Sequence, residues 1–257
     1  MATKNWAWAA LPLLLIAIAL CTVPGNWPGL RGWTFVGVVA LLAIDLMIVG
    51  YLVNGRPAGA FIDNRNRLSL SKLQAAAWTV IVLAAFATAA ASNAVAPGVD
   101  YNQVQALAVT IPGELLLAMG ISATSLVATP ALLSLKADED PQDDAADRAS
   151  LRTGTNVIAN GKLANKASPA QASWADLVTG EEIGNVGTPD LGKIQQVLIT
   201  LILLGAYAGY VFENFSLVSG VIGSLPQLDK SFVWLLGISH ASYLAYKAAP
   251  HTKSADA

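Results

Sequence analysis

The chain is poor in the residues that build reaction centres and water-facing surfaces. It carries one cysteine, Cys21, and two histidines among 257 residues. A single thiol excludes an internal disulfide and leaves the redox compartment unread. There is no HExxH, no His/Cys set at ligand spacing and no glycine-rich phosphate loop, so neither a metal nor another cofactor is expected, and the chain reads as a non-enzyme. Charge is also scarce: 12% of residues are Asp, Glu, Lys or Arg, against about 25% in an average soluble domain. A chain this poor in charge does not cover a water-soluble globule. Basic stripes with interleaved aromatics are missing as well, which argues against a nucleic-acid partner.

Apolar sequence is what the chain has in abundance, with 54% hydrophobic residues. A membrane-crossing helix needs about 20 mostly apolar residues. Six stretches approach that length: 6–23, 33–53, 73–91, 111–135, 194–212 and 232–249. Ser, Thr, Gly and His interrupt the fourth and sixth, a pattern expected of helices that face protein rather than lipid. The expected fold is all-α and polytopic, with about six transmembrane helices in a lipid bilayer. Its parts are an N-terminal hairpin (1–55), a second hairpin (56–136), a hydrophilic loop (137–190) and a last hairpin with a short tail (191–257).

Orientation follows from Lys and Arg, which are retained on the cytoplasmic side. Six spans put Lys4, Arg56, Arg65, Arg67, Lys72, Lys136, Lys193, Lys247 and Lys253 on one side and only Arg31 and Lys230 on the other. Both termini are then cytoplasmic. The first segment also fits two targeting readings. One is a cleavable signal ending near Ala17-Ile18-Ala19; the other is a lipoprotein signal at Cys21, whose preceding residues fit poorly.

Residues 72–87 align without gaps to 193–208, and 119–126 to 236–243. This predicts two parallel helical hairpins related by duplication. The Ser69-Leu-Ser-Lys-Leu-Gln74 segment leads to Trp78-Thr79, and Leu236-Gly-Ile-Ser-His-Ala-Ser-Tyr-Leu-Ala-Tyr-Lys247 follows in the second hairpin. This pattern resembles uncharacterised bacterial inner-membrane proteins that carry SLSKxQ, WT and LxGISxASYLxxK segments. The resemblance implies a bacterial inner (cytoplasmic) membrane and carries no activity.

Arg65, Arg67, Lys72, Gln74, Lys193 and Gln195 fit a membrane-interface anchor, with long stems along apolar surface and charged ends in water. Ser69 or Ser71, and Asp190, are candidate N-caps. Gly205/Gly209, Gly120/Thr124 and Gly237/Ala241 are small-residue pairs at the spacing that lets helices approach closely. Asp45 lies midway along the second span, where ionisable groups are costly and face protein or water. With Ser122, Ser125, Ser239, His240 and Ser242 it forms the candidate set for a polar pathway or for buried polar packing. A hydrolase built on Ser239 and His240 is disfavoured, because adjacent helix residues point in different directions.

Residues 137–190 hold 10 acidic and 4 basic residues, and the remainder 7 acidic and 11 basic. The near-neutral total therefore hides an acidic loop beside a basic collar. Low hydrophobicity and excess charge predict a solvated linker. Within it Trp174, Leu177 and Ile183 form a candidate docking element. The leading expectation is a membrane structural or interaction subunit that self-associates and docks a cytoplasmic protein. The alternative is a homo-oligomeric channel or permeation protein lined by the Ser-rich helices or Asp45.

Overall fold

The computed structural model describes residues 12, 14–20, 27–94, 106–141 and 143–252. The long apolar runs become helices: α1 (Arg31–Asn54), α2 (Leu70–Ala94), α3 (Gly113–Ala137) and, after a short α4 (Ala145–Thr153), α5 (Leu191–Leu217). Among the described residues α1, α2, α3 and α5 are long and apolar enough to cross a membrane. Even the shortest of these, at 24 residues, rises about 36 Å, more than the roughly 30 Å of a hydrocarbon core. The expected sixth span is a helix too, α6 (Lys230–Ala248). It falls outside the membrane-length apolar set because Ser239, His240, Ser242 and Lys247 dilute its apolar character. Residues 14–20 of the expected first span are helical. The rest of that span, including Cys21, lies outside the described residues, so the two targeting readings are not addressed there.

α1 packs on α2 and α5, α3 on α2 and α6, and α6 on α5; the five close a ring, and α2 meets α5 across it. Phe35, Val38, Trp78, Val82, Leu115, Leu203, Tyr207, Val211, Phe215 and Leu236 fill the centre. Trp78 lies 6.2 Å from Tyr207 between ring centroids, and Phe35 meets Phe215 edge-on.

The expected duplication is followed only in part by the packing of α2 and α5. Their buried faces match as Ser71 with Lys193, Gln74 with Gln196, Trp78 with Thr200, and Ala85 with Tyr207. Each of these pairs is separated by 122 positions, whereas the sequence match pairs residues 121 apart, such as Lys72 with Lys193. One residue is about 100° around a helix. Several residues that match in sequence, such as Gln74 and Gln195, therefore point in different directions, while Val82 and Leu203 both face the core.

At one end of the bundle, polar clamps close the connections. The Asn93 side chain donates to Ile222 O (2.9 Å) and accepts from Ile222 N (2.7 Å). Thr110 pairs its backbone with Gly223 and Leu225. Buried Arg31 donates through Nη1 to the carbonyls of Val218 (2.8 Å) and Gly220 (2.7 Å) beyond α5, where a cation complements the exposed carbonyls of a helix C-terminus.

The other end carries a folded cap, and this corrects the expectation of a solvated linker. Residues 137–190 form α4, an antiparallel hairpin of β1 (Ile158–Asn160) and β2 (Leu163–Asn165), and the 3-10 turns Pro169–Gln171 and Trp174–Leu177. Ala149, Val157, Ala164, Ile183 and Val186 make a small core of their own. Ala172 and Leu177 join a second cluster with Ile62, Leu68 and Leu70 from the segment that enters α2. Gly161 opens the hairpin turn at φ +55°, a conformation that suits glycine. A Cβ there would stand 2.3 Å from Ala137 O, so its absence lets the turn seat on the end of α3.

Two further glycines set the height of this layer. The 3-10 turn Pro57–Phe61 folds back onto α1 so closely that a Cβ on Gly59 would lie 2.2 Å from Gly50 O. The chain thus reverses at once after α1 and carries Arg65 and Arg67 over the open end of the bundle.

Candidate functional site

Helix direction brings four termini together under the cap. The N-terminal turns of α2 and α5 contribute Ser71 and Lys193; the C-terminal turns of α3 and α6 contribute Lys136, Tyr243 and Lys247. Asp190 caps α5 as the sequence indicates, accepting from Lys193 N at 3.0 Å. At α2, Ser69 Oγ accepts only a long bond from Lys72 N (3.4 Å), while Ser71 Oγ turns inward to Thr129 Oγ1 (2.9 Å).

Glu181 is the hub. Its carboxylate pairs with Lys193 (2.7 Å), Lys247 (2.8 Å) and Arg65 (3.1 Å), all buried. Asp63 holds Arg65 from the other side at 2.6 Å. Asp176 takes Lys166 (2.7 Å) and Arg67 (3.5 Å) and closes a capping box with Ser173. Glu182 pairs with Lys136 and accepts His251 N at 2.9 Å. Lys193 Nζ also donates to Asp176 O at 2.9 Å, and Lys247 Nζ to Tyr243 Oη at 2.7 Å. Charges taken out of water need this density of partners, because each costs several kcal/mol to desolvate.

Burial by itself would raise the pKa of Glu181; Arg65, Lys193 and Lys247 outweigh it and hold the carboxyl well below the ordinary range. For Arg65 burial acts downward, and Glu181 with Asp63 more than offsets it, so its pKa is raised. At Arg67 burial prevails over the attraction of Asp176, and its pKa is lowered. A carboxyl depressed in the folded state contributes stability that is complete above its unfolded pKa, about 4.3 for glutamate. That contribution is lost as pH falls through the folded value. Thermal unfolding in detergent is therefore expected at constant Tm from neutral pH down to about 5, with a decline below that. A decline centred near neutrality would contradict a hub built on Glu181.

One turn deeper, Gln74 Nε2 donates to Thr200 Oγ1 (2.6 Å) and Gln196 Nε2 to Gln74 Oε1 (3.2 Å). Deeper still, Ser125 Oγ and His240 Nδ1 share a 2.5 Å hydrogen bond between α3 and α6. Ser122 Oγ, Gln196 Oε1 and His240 Nε2 are buried without a partner. The Ser–His pair of the fold is thus Ser125–His240 and not Ser239–His240. Beside Glu181 the cavity is about 20 Å³, room for one water, far below the several hundred Å³ of a small-molecule pocket.

The expected interface set splits. Arg65, Arg67 and Lys193 are buried in the charge cluster and do not reach out to water. Lys72 is half-buried, donating to Ile62 O at 2.7 Å. Gln74 is buried, but Gln195 is exposed and Gln196 takes the inward place, the one-residue rotation again.

Of the small-residue pairs, Gly120, Thr124, Gly205, Gly209 and Ala241 are exposed, and a Cβ on Gly120, Gly205 or Gly209 would meet nothing within 4 Å. Of the glycines in the three pairs, only Gly237 has a neighbour among the described residues, where an added Cβ would meet Ile121 at 3.7 Å. Ser122, Ser125, Ser239 and His240 are buried, and Ser242 is exposed. Asp45 stands apart from them, half-buried in a groove with Lys72 and Thr79, its Oδ1 without a hydrogen bond.

The expected docking element also divides: Trp174 is 61% exposed, whereas Leu177 and Ile183 are buried in the two small cores. Sequence reasoning singled out none of Glu181, Glu182, Asp176 and Tyr243, and read Lys247 only as part of the basic collar. The signal that could have found them is the opposition of acidic loop and basic collar, two populations that neutralise one another when they meet. No family model matches the chain, and no curated protein or solved structure is significantly similar to it.

Proposed function

We propose that the protein is an integral-membrane interaction subunit of a bacterial inner membrane, with six helices crossing the bilayer and both termini cytoplasmic. Its folded cap presents a fixed surface to a soluble partner. The observation that carries this reading is the internal pairing of the basic collar. Arg65, Arg67, Lys136, Lys193 and Lys247 are spent on holding the cap, and a docked cap is a preorganised surface rather than a tether. Outward, Asp138, Glu139, Asp140, Asp143 and Asp147 are exposed, a charge pattern suited to a basic partner. Self-association fits the exposed Gly120 and Thr124, since small residues allow close approach between helices.

The test is reconstitution of the full chain in vesicles with a photo-crosslinker at Asp143 in parallel cells. The account expects no ion flux, and capture at Asp143 of one defined soluble protein whose binding weakens with salt and with Asp140→Asn. Capture independent of both would count against it.

A second reading, permeation, draws on the buried unpartnered Ser122 Oγ, Gln196 Oε1 and His240 Nε2, because such groups call for water or an ion. That path would run inside one chain between α2, α3, α5 and α6, without Asp45. Proton flux abolished by His240→Gln would favour it over the first.

A further inference from the structure

A wide groove lies away from the charge cluster. It runs between α1, α2 and α5, has a volume of about 720 Å³, and is walled by Val39, Leu46, Ala77, Ile81, Leu204 and Gly205 among other apolar residues. Its wall on α1 extends from Met47 to Val39, eight residues or about 12 Å of helix rise. That is most of one leaflet of a hydrocarbon core about 30 Å thick. Arg56 and Trp174 stand at its mouth, on the capped side.

Arg56 differs from its neighbours. Arg65, Arg67, Lys136, Lys193 and Lys247 all pair with carboxylates. Arg56 has no carboxylate partner among the described residues. Its Nη1 donates to the carbonyls of Pro169 (3.1 Å), Ala170 (3.0 Å) and Ala172 (2.5 Å), which fixes the guanidinium plane and leaves its charge unneutralised. Guanidinium recognises phosphate with paired, charge-assisted hydrogen bonds. Trp174 is exposed beside it, and tryptophan favours the depth of lipid headgroups.

We propose that this groove is a binding site for one anionic glycerophospholipid. Its phosphate sits on Arg56, its glycerol region lies against Trp174, and one acyl chain lies between α1, α2 and α5. The occupant is a lipid rather than a free phosphate, because the cation stands at the end of an apolar channel of leaflet depth. It is anionic because the one fixed charge at the mouth is positive and unpaired.

Gly205 supplies the means of testing it. A Cβ there meets nothing within 4 Å, so Gly205→Leu fills the groove without straining the bundle. The experiment titrates the full chain in detergent with dibrominated phosphatidylglycerol or dibrominated phosphatidylcholine. The readout is quenching of Trp174 fluorescence, taken as the difference between the wild type and Trp174→Phe. The wild type is expected to be quenched at about tenfold lower phosphatidylglycerol than phosphatidylcholine, because both offer a phosphodiester to Arg56 but the choline cation of the second offsets that charge. Arg56→Gln is expected to erase that preference while keeping the weaker quenching by both lipids. Gly205→Leu is expected to reduce quenching by both, and Lys230→Gln, at the far end of the bundle, to change neither. Inorganic phosphate at the same concentration should not compete. Equal quenching of the wild type by the two lipids, a preference that survives Arg56→Gln, or displacement by inorganic phosphate would each overturn the proposal. Retained Tm in Arg56→Gln and Gly205→Leu separates lost binding from lost fold.

Discussion

Glu181→Gln is expected to destabilise the protein by about 3–5 kcal/mol, the usual cost of removing one partner from a buried ion cluster. Glutamine keeps the volume and removes the charge. Three buried cations, Arg65, Lys193 and Lys247, then face no carboxylate at the hub. Arg65 retains Asp63 at 2.6 Å, and Lys193 retains the Asp176 carbonyl at 2.9 Å. Among the described residues Lys247 then keeps only the Tyr243 hydroxyl as hydrogen-bond acceptor, so its position carries the largest share. Adding Lys247→Met to Glu181→Gln should therefore recover part of the loss, whereas Lys247→Met in the wild type should be destabilising. Denaturant unfolding in detergent across the four proteins reads this coupling directly. Additive effects would mean that the two groups do not share a desolvated site.

Ile183→Ala is the second large effect, about 2–5 kcal/mol on the cap, as for other buried aliphatic truncations. Ile183 is 1% exposed and packs with Ala149, Val157, Ala164 and Val186. Trp174→Ala, nine residues earlier in the same stretch, should cost little stability, because that ring is exposed and belongs to neither small core. Trypsin cleavage at Arg148, Arg152 or Lys162 reports cap opening. Ile183→Ala should be cut at much lower protease than Trp174→Ala. The reverse order would make this stretch a docking segment, as its composition first indicates, and not a core.

Hydropathy read well where local sequence decides structure. Four of the apolar runs are helices of membrane-crossing length, because an uncharged run of that length satisfies its backbone groups best as a helix. The placement of Arg56, Arg65, Arg67, Lys136, Lys193 and Lys247 at one end was legible from the spacing of spans and charges. The cap was not. Asp176 and Glu181 look like solvating charges within their own neighbourhood, and their partners Arg67 and Arg65 lie more than 100 positions earlier. Composition has no access to pairing over that separation. The Gln74 contact failed for a different reason. The matching run is genuine in sequence, yet the inward face of α5 is turned by one residue, so Gln196 occupies the place expected of Gln195. The glycine pairs, in turn, give the right chemistry for close approach, but among the described residues no helix covers Gly205 or Gly209.

A membrane bundle closed at one end by a folded cap, docked through a buried charge hub, makes a claim about individual amides. Ala164 N donates to Glu181 O (3.0 Å), Ile183 N to Lys162 O (2.9 Å) and Asp190 N to Val178 O (2.9 Å). Hydrogen exchange of the reconstituted full chain at neutral pH measures these positions. The account predicts that all three are protected, and that Glu181→Gln weakens the protection of Ala164 and Ile183 together. Exchange at the rate of an open chain across 162–190 in the wild type would contradict it.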